Sequence, residues 1–255
     1  MHPISTPDHG EDGRPGAQPG HPFRRLVADP GHGPLPLLMV VLTVLTGVVD
    51  AVSILSLGRV FVANMTGNVV FVGFALAGAD GFSLGAPLSA LGAFLVGAAV
   101  GGAAADRLGA NRGRLLASVV AGELGLVLMA LVAAAAAGPH LGAASRVAIA
   151  ALMALAMGAQ NAAVRQLKVF DFTTTVLTMT LTGIAADVRE RDAFAIVRRL
   201  LAVGAMLVGA IAGALLVLHV SDVAALGLAA GLLAVVLVGA WAGTRAPAPW
   251  HEPRG

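Results

Sequence analysis

Asn64, Thr66, Gly67 and Asn68 crowd into the stretch FVANMTGN (61–68), between segments that are almost wholly apolar. Two amides and a hydroxyl at such a break can cap the helix that follows, or they can replace the hydration shell of a small polar solute. Non-helical backbone at membrane depth survives only where protein or a wet cavity satisfies it. Free N–H groups at a helix start attract an anion or a carboxylate. Gly67 lets the backbone turn or lets a solute approach. The same residues also fit a capped loop at a membrane surface that holds no ligand.

A second polar run, FDFTTTVLT (170–178), supplies Thr173, Thr174, Thr175 and Thr178. Thr174, Thr178 and Thr182 share one helical face at i, i+4 and i+8. That stripe lines a polar path, or its hydroxyls bond back to carbonyls one turn earlier. Asn161, in GAQNAAVRQ, adds an amide nearby in sequence. Among the charges, Asp50 lies late in an apolar run and Glu123 lies inside another. Intramembrane acids are costly and point to proton, cation or substrate binding. Asp50 can instead pair with Arg59, and Arg165 with Asp171, as structural ion pairs. Glu123 has no evident partner in sequence and fits equally a neutral acid bonded to a neighbouring helix.

The elements that position these residues follow from composition. Of 255 residues, 57% are hydrophobic and 12% charged, and mean hydropathy is +0.86. The charged share is about half that of soluble domains, so the chain is a polytopic membrane protein. It contains no cysteine, which excludes disulfides, cysteine-ligated metals and thiol nucleophiles. The basic residues cluster between apolar runs and report topology, not nucleic-acid binding. Residues 1–33 and 246–255 read as polar tails around a transmembrane domain at 34–245.

Apolar runs fall at roughly 35–57, 60–79, 85–105, 115–137, 146–164, 169–187, 200–219 and 223–243. A span needs ~20 apolar residues. The runs at 60–79 and 169–187 open with polar stretches, so each reads as a loop feeding a half-length helix. GAFLVGAAVGG (92–102) and GAMLVGAIAGA (204–214) share seven of eleven residues, and Gly47-x-x-Asp50-Ala51 matches Gly158-x-x-Asn161-Ala162. These matches agree on an offset of 110–112, which marks a duplication with halves near 34–137 and 146–243. With eight spans, Lys and Arg divide ten against six across the membrane; with six spans and two re-entrant segments they divide fourteen against two. The positive-inside rule selects the second arrangement, with both termini cytoplasmic. Three spans per half then give the halves opposite orientation, a pattern of many secondary transporters. Gly97-x-x-x-Gly101 and Gly209-x-x-x-Gly213 read as close-packing faces.

No HExxH, GxSxG or phosphate-binding glycine loop occurs, so neither an enzyme nor a cofactor or metal site is expected. GVVDAVSILSLGRVFVANMTGNVVFVGFALAG together with GAQNAAVRQLKVFDFTTTVLTMTLTGIAAD resembles the YoaK family of bacterial multi-pass membrane proteins, over about 40–240. The resemblance implies a bacterial inner-membrane protein of about six helices, and it supplies no substrate, cofactor or functional residue. The residues and the resemblance together lead to an all-α protein of six spans and two re-entrant segments. Its expected activity is transport of a small polar or ionic solute as carrier or channel, with a homo-oligomer possible. A non-transporting assembly or sensory partner is the alternative.

Overall fold

A computed structural model describes residues 33–138, 141–167, 182–183 and 193–244. Among these residues all regular elements are helical: α1 (Leu35–Ser56), α2 (Met65–Leu76), α3 (Gly85–Leu108), α4 (Arg112–Ala137), α5 (Ala143–Leu167), α6 (Ala193–His219) and α7 (Asp222–Thr244). Six are long and apolar enough to cross a membrane. The exception is α2. Its 12 residues reach ~18 Å, against a hydrocarbon core of ~30 Å.

Local chemistry sets several ends. Pro36 occupies the first turn of α1, where a missing N–H costs nothing. Asn111 Oδ1 accepts from Arg114 N–H at 2.9 Å to start α4, and Ser221 Oγ accepts from Ala224 N–H at 3.1 Å to start α7. The buried Arg112 guanidinium donates to the Leu167 carbonyl at the end of α5, a cation on the negative end of a helix. Inside α1, Thr43 and Thr46 bond back to the Met39 and Leu42 carbonyls at 2.8 and 2.9 Å, so their burial leaves no polar group unpaired.

Helices α1, α6 and α7 pack into one triplet and α5, α3 and α4 into another; the two meet chiefly through α4 against α7. The glycines explain the tightest crossings. A Cβ at Gly209 would overlap the Val44 carbonyl, and one at Gly213 would overlap Val48 backbone. A Cβ at Gly97 would overlap the Leu155 carbonyl, and one at Gly101 would overlap Ala159 backbone. Gly47 likewise meets Met206 and Ala210, and Gly158 meets Phe94 and Ala98. Shifted by 111–112 residues, each contact of α1 with α6 becomes a contact of α5 with α3. Burial repeats the pattern: the apolar windows of α1 and α5 are 61% and 56% buried, those of α3 and α6 both 22%, and those of α4 and α7 both 39%. The first helix of each matched set is therefore central. The second is peripheral and exposes apolar side chains such as Leu95 and Leu207.

Residues 57–84 form a hairpin that returns to the end it left. Arg59, at φ 56°, brings its guanidinium to within 3.8 Å of where a Cβ on Gly81 would sit. The chain enters through 57–64, turns into α2, and comes back through Gly78 and Gly81, both at positive φ. Phe71 anchors the hairpin, stacking on Phe61 at 5.7 Å and meeting Phe82 at 5.3 Å. Of the described arginines, Arg107, Arg112, Arg114, Arg165, Arg198 and Arg199 lie at one end of the bundle, and Arg59 and Arg146 at the other.

Candidate functional site

The break at 61–68 is built by Asn68. This amide is fully buried. Its Oδ1 accepts from Phe61 N–H at 2.9 Å, and its Nδ2 donates to the Phe61 carbonyl at 2.6 Å. Both backbone groups of one residue outside the helices are thus satisfied by one side chain, as low-dielectric surroundings demand. Gly67 leaves room for the Phe61 ring, which a Cβ would overlap. The capping role expected of this stretch is corrected by the geometry: Asn64 occupies the N-cap position of α2, but its side chain makes no cap hydrogen bond. The reason is that Asn68 already fixes the entry to the helix. Asn64 and Thr66 point outward and are exposed.

They face a cleft of about 790 Å³, lined by Ala63–Thr66 of the break, Phe94, Ala98, Gly102, Ala105 and Asp106 of α3, and Asn161, Ala162 and Val164 to Gln166 of α5. Small residues at 98, 102, 105 and 162 open the space. Asn64, Thr66 and Asn161 supply uncharged polar groups, and Asp106 and Arg165 one charge of each sign. Its size suits a small solute. Asp106 escaped the sequence reading, because an acid beside Arg107 near a helix end looks like ordinary surface.

Asp50 of α1 sits on the other side of the same break. It is 9% exposed, and the backbone N–H groups of Ala63 and Val62 are directed at its carboxyl. Its Oδ1 has no hydrogen-bond partner. The alternative of an Asp50–Arg59 ion pair is not realised: α1 keeps Asp50 helical and buried, whereas Arg59 lies beyond the helix end and is exposed. Arg59 instead lines a separate cavity of about 340 Å³ at the opposite end, with Ser56, Arg146 and Asp222. There Ser56 Oγ donates to Asp222 Oδ1 at 2.5 Å.

Glu123 of α4 does have a partner. With its amide nitrogen turned toward α4, Gln160 of α5 donates to both carboxylate oxygens, at 2.8 Å to Oε1 and 3.0 Å to Oε2. Both residues are 1% exposed. Gln160 was not among the expected site residues, since a contact across 37 positions leaves no local trace. Thr173, Thr174, Thr175, Thr178 and Asp171, with the proposed Arg165–Asp171 pair, lie outside the described residues. So does most of the second expected re-entrant segment.

The comparisons with known proteins agree with this membrane architecture. Residues 38–239, from the first turn of α1 to within α7, match a family described as "Protein of unknown function (DUF1275)". The chain belongs to that family. The "UPF0700 transmembrane protein YoaK" of Bacillus subtilis (strain 168) is 32% identical over 154 residues, covering 60% of this chain and 67% of the relative. No solved structure matches. The family match, the transmembrane relative and the six apolar helices make this chain a multi-pass membrane protein.

Proposed function

We propose that the protein carries a small polar solute across the bacterial inner membrane, binding it in the cleft between the break and helices α3 and α5. The observation that supports this reading is the convergence on one cavity of polar side chains of the break (Asn64, Thr66), an amide from the other half (Asn161), and the charges of Asp106 and Arg165. A purely structural break has no need of such a lining once Asn68 has satisfied its backbone. One acid and one base favour a zwitterion or a neutral polar molecule over an ion of a single sign.

The two helix triplets each combine the first helix of one half with the second and third of the other. Three spans per half support opposite orientations, and the arginine-rich end supports cytoplasmic termini. Movement of the break against α3 and α5 would open the cleft to alternate sides.

The test is purified protein in proteoliposomes, offered a panel of small amino acids, carboxylates and inorganic ions. Flux of one class above empty liposomes, abolished by Asn64→Ala with Thr66→Ala while the protein remains folded, fits the proposal. Equal flux in wild type and double variant, or none for the whole panel, contradicts it.

A further inference from the structure

We infer that Glu123 and Gln160 form a proton-binding switch that sets the state of the cleft, a reading that rests on the cleft being the solute site. Glu123 lies 11 residues into α4, so ~16 Å from its start, deep in the hydrocarbon region. Neither cavity described above is lined by it. Among the described residues no group of three or more acidic, His or Cys side chains is placed to hold a metal ion, and one buried carboxyl beside one amide can take up a proton. The charged groups on the elements packed against it are Asp106 and Arg107 of α3, Arg146 and Arg165 of α5, and Asp222 of α7. All lie in terminal turns, and none bonds to Glu123.

A primary amide suits both forms of such an acid. Its NH₂ donates to a carboxylate; after rotation by half a turn, its carbonyl oxygen accepts from a carboxylic acid. Gln160 therefore responds to the proton on Glu123 by turning over, which replaces a charge-assisted contact between α4 and α5 with a weaker neutral one and so loosens the hold of α4 on α5. The next residue, Asn161, lines the cleft. Helix α5 is locked to α3 by backbone contact at Gly97, Gly101 and Gly158, so a shift of α5 moves both long walls of the cleft together against the break.

The chain has no cysteine, so Ala162→Cys in the cleft gives a clean probe. Its rate of thiol modification is measured across pH in nanodiscs and divided by that of the exposed Asp80→Cys, which removes the pH dependence of the reagent and of an ordinary exposed thiol; ionisation particular to the cleft thiol is common to the backgrounds compared. The ratio is expected to change with pH, and Glu123→Gln, which keeps an amide–amide bond with Gln160, is expected to abolish that change and hold the ratio at its acid value. An unchanged pH profile in Glu123→Gln, or a flat one without it, overturns the switch. Should Glu123→Gln fail to fold, a membrane-soluble carbodiimide is applied to the otherwise unaltered Ala162→Cys protein. The protonated carboxyl adds across the N=C=N unit and rearranges to a stable N-acylurea, located by mass spectrometry. An adduct at Glu123 that flattens the pH profile supports the switch; no adduct at any pH overturns it. These readouts need no solute, so a switch that works without flux refutes only the transport reading. Flux with the same pH profile in Glu123→Gln refutes only the switch.

Discussion

Replacing Asn68 by alanine separates the structural part of the polar break from its binding part. The substitution removes two hydrogen bonds, at 2.9 and 2.6 Å, and strands the N–H and C=O of Phe61. A buried group left unsatisfied costs ~1–3 kcal/mol, so two cost about 2–6 kcal/mol. Because Phe61 is only half-buried, water can partly replace the amide, and the lower half of that range applies. At 2–4 °C per kcal/mol for a chain of this size, the midpoint of thermal unfolding should fall by roughly 5–15 °C. Asn68→Asp should do no better, since it sets a carboxylate oxygen against the Phe61 carbonyl. Thr66→Ala, two residues away and exposed, should leave the midpoint within about 1 °C, as surface changes do. The assay is thermal unfolding in detergent followed by intrinsic fluorescence, with binding or flux measured on the same preparations. An unchanged midpoint in Asn68→Ala would refute the clamp.

Other variants probe the crossings and the helix ends. Gly209→Leu and Gly158→Leu drive a side chain into facing backbone and should prevent accumulation of folded protein, whereas Gly204→Ala, with nothing within 4 Å, should be neutral or slightly stabilising by helix propensity; size-exclusion profiles of solubilised protein decide this. Arg112→Ala leaves the Leu167 carbonyl unpaired and should cost ~1–3 kcal/mol in unfolding experiments, with Arg112→Lys intermediate because one ammonium replaces the fork. Asp50→Asn should keep the stability of the break, since an amide oxygen still faces the Val62 and Ala63 N–H groups, and should leave solute binding in the cleft, which Asp50 does not line, unchanged; thermal unfolding and isothermal binding with the first solute found check the two.

The sequence made the six spans visible because each is a long apolar run between charges. It made α2 visible because polar residues shorten its run. The glycine faces were also legible, since small residues four apart have few other uses in hydrocarbon. Contacts that no local pattern encodes stayed hidden. Asn68 reads as a cap or a ligand, but its work is to hold Phe61, seven residues back. Glu123 reads as solitary because Gln160 reaches it only after α5 packs on α4. Spacing alone allows an Asp50–Arg59 pair. It fails because α1 continues through Ser56, leaving Asp50 buried in the helix and Arg59 exposed beyond its end.

The measurement closest to the central claim, a polar break carried by a hairpin that re-enters the membrane, uses three single cysteines. Arg59→Cys, Asp80→Cys and Ala110→Cys are each labelled in intact cells with a membrane-impermeant thiol reagent, before and after permeabilisation. Ala110 is preferred to Asn111, whose side chain starts α4. The hairpin predicts that positions 59 and 80 label from one face and position 110 only from the other. Labelling of 59 and 110 from one face, with 80 on the other, would mean that residues 60–79 cross the membrane, and the site described here would not exist.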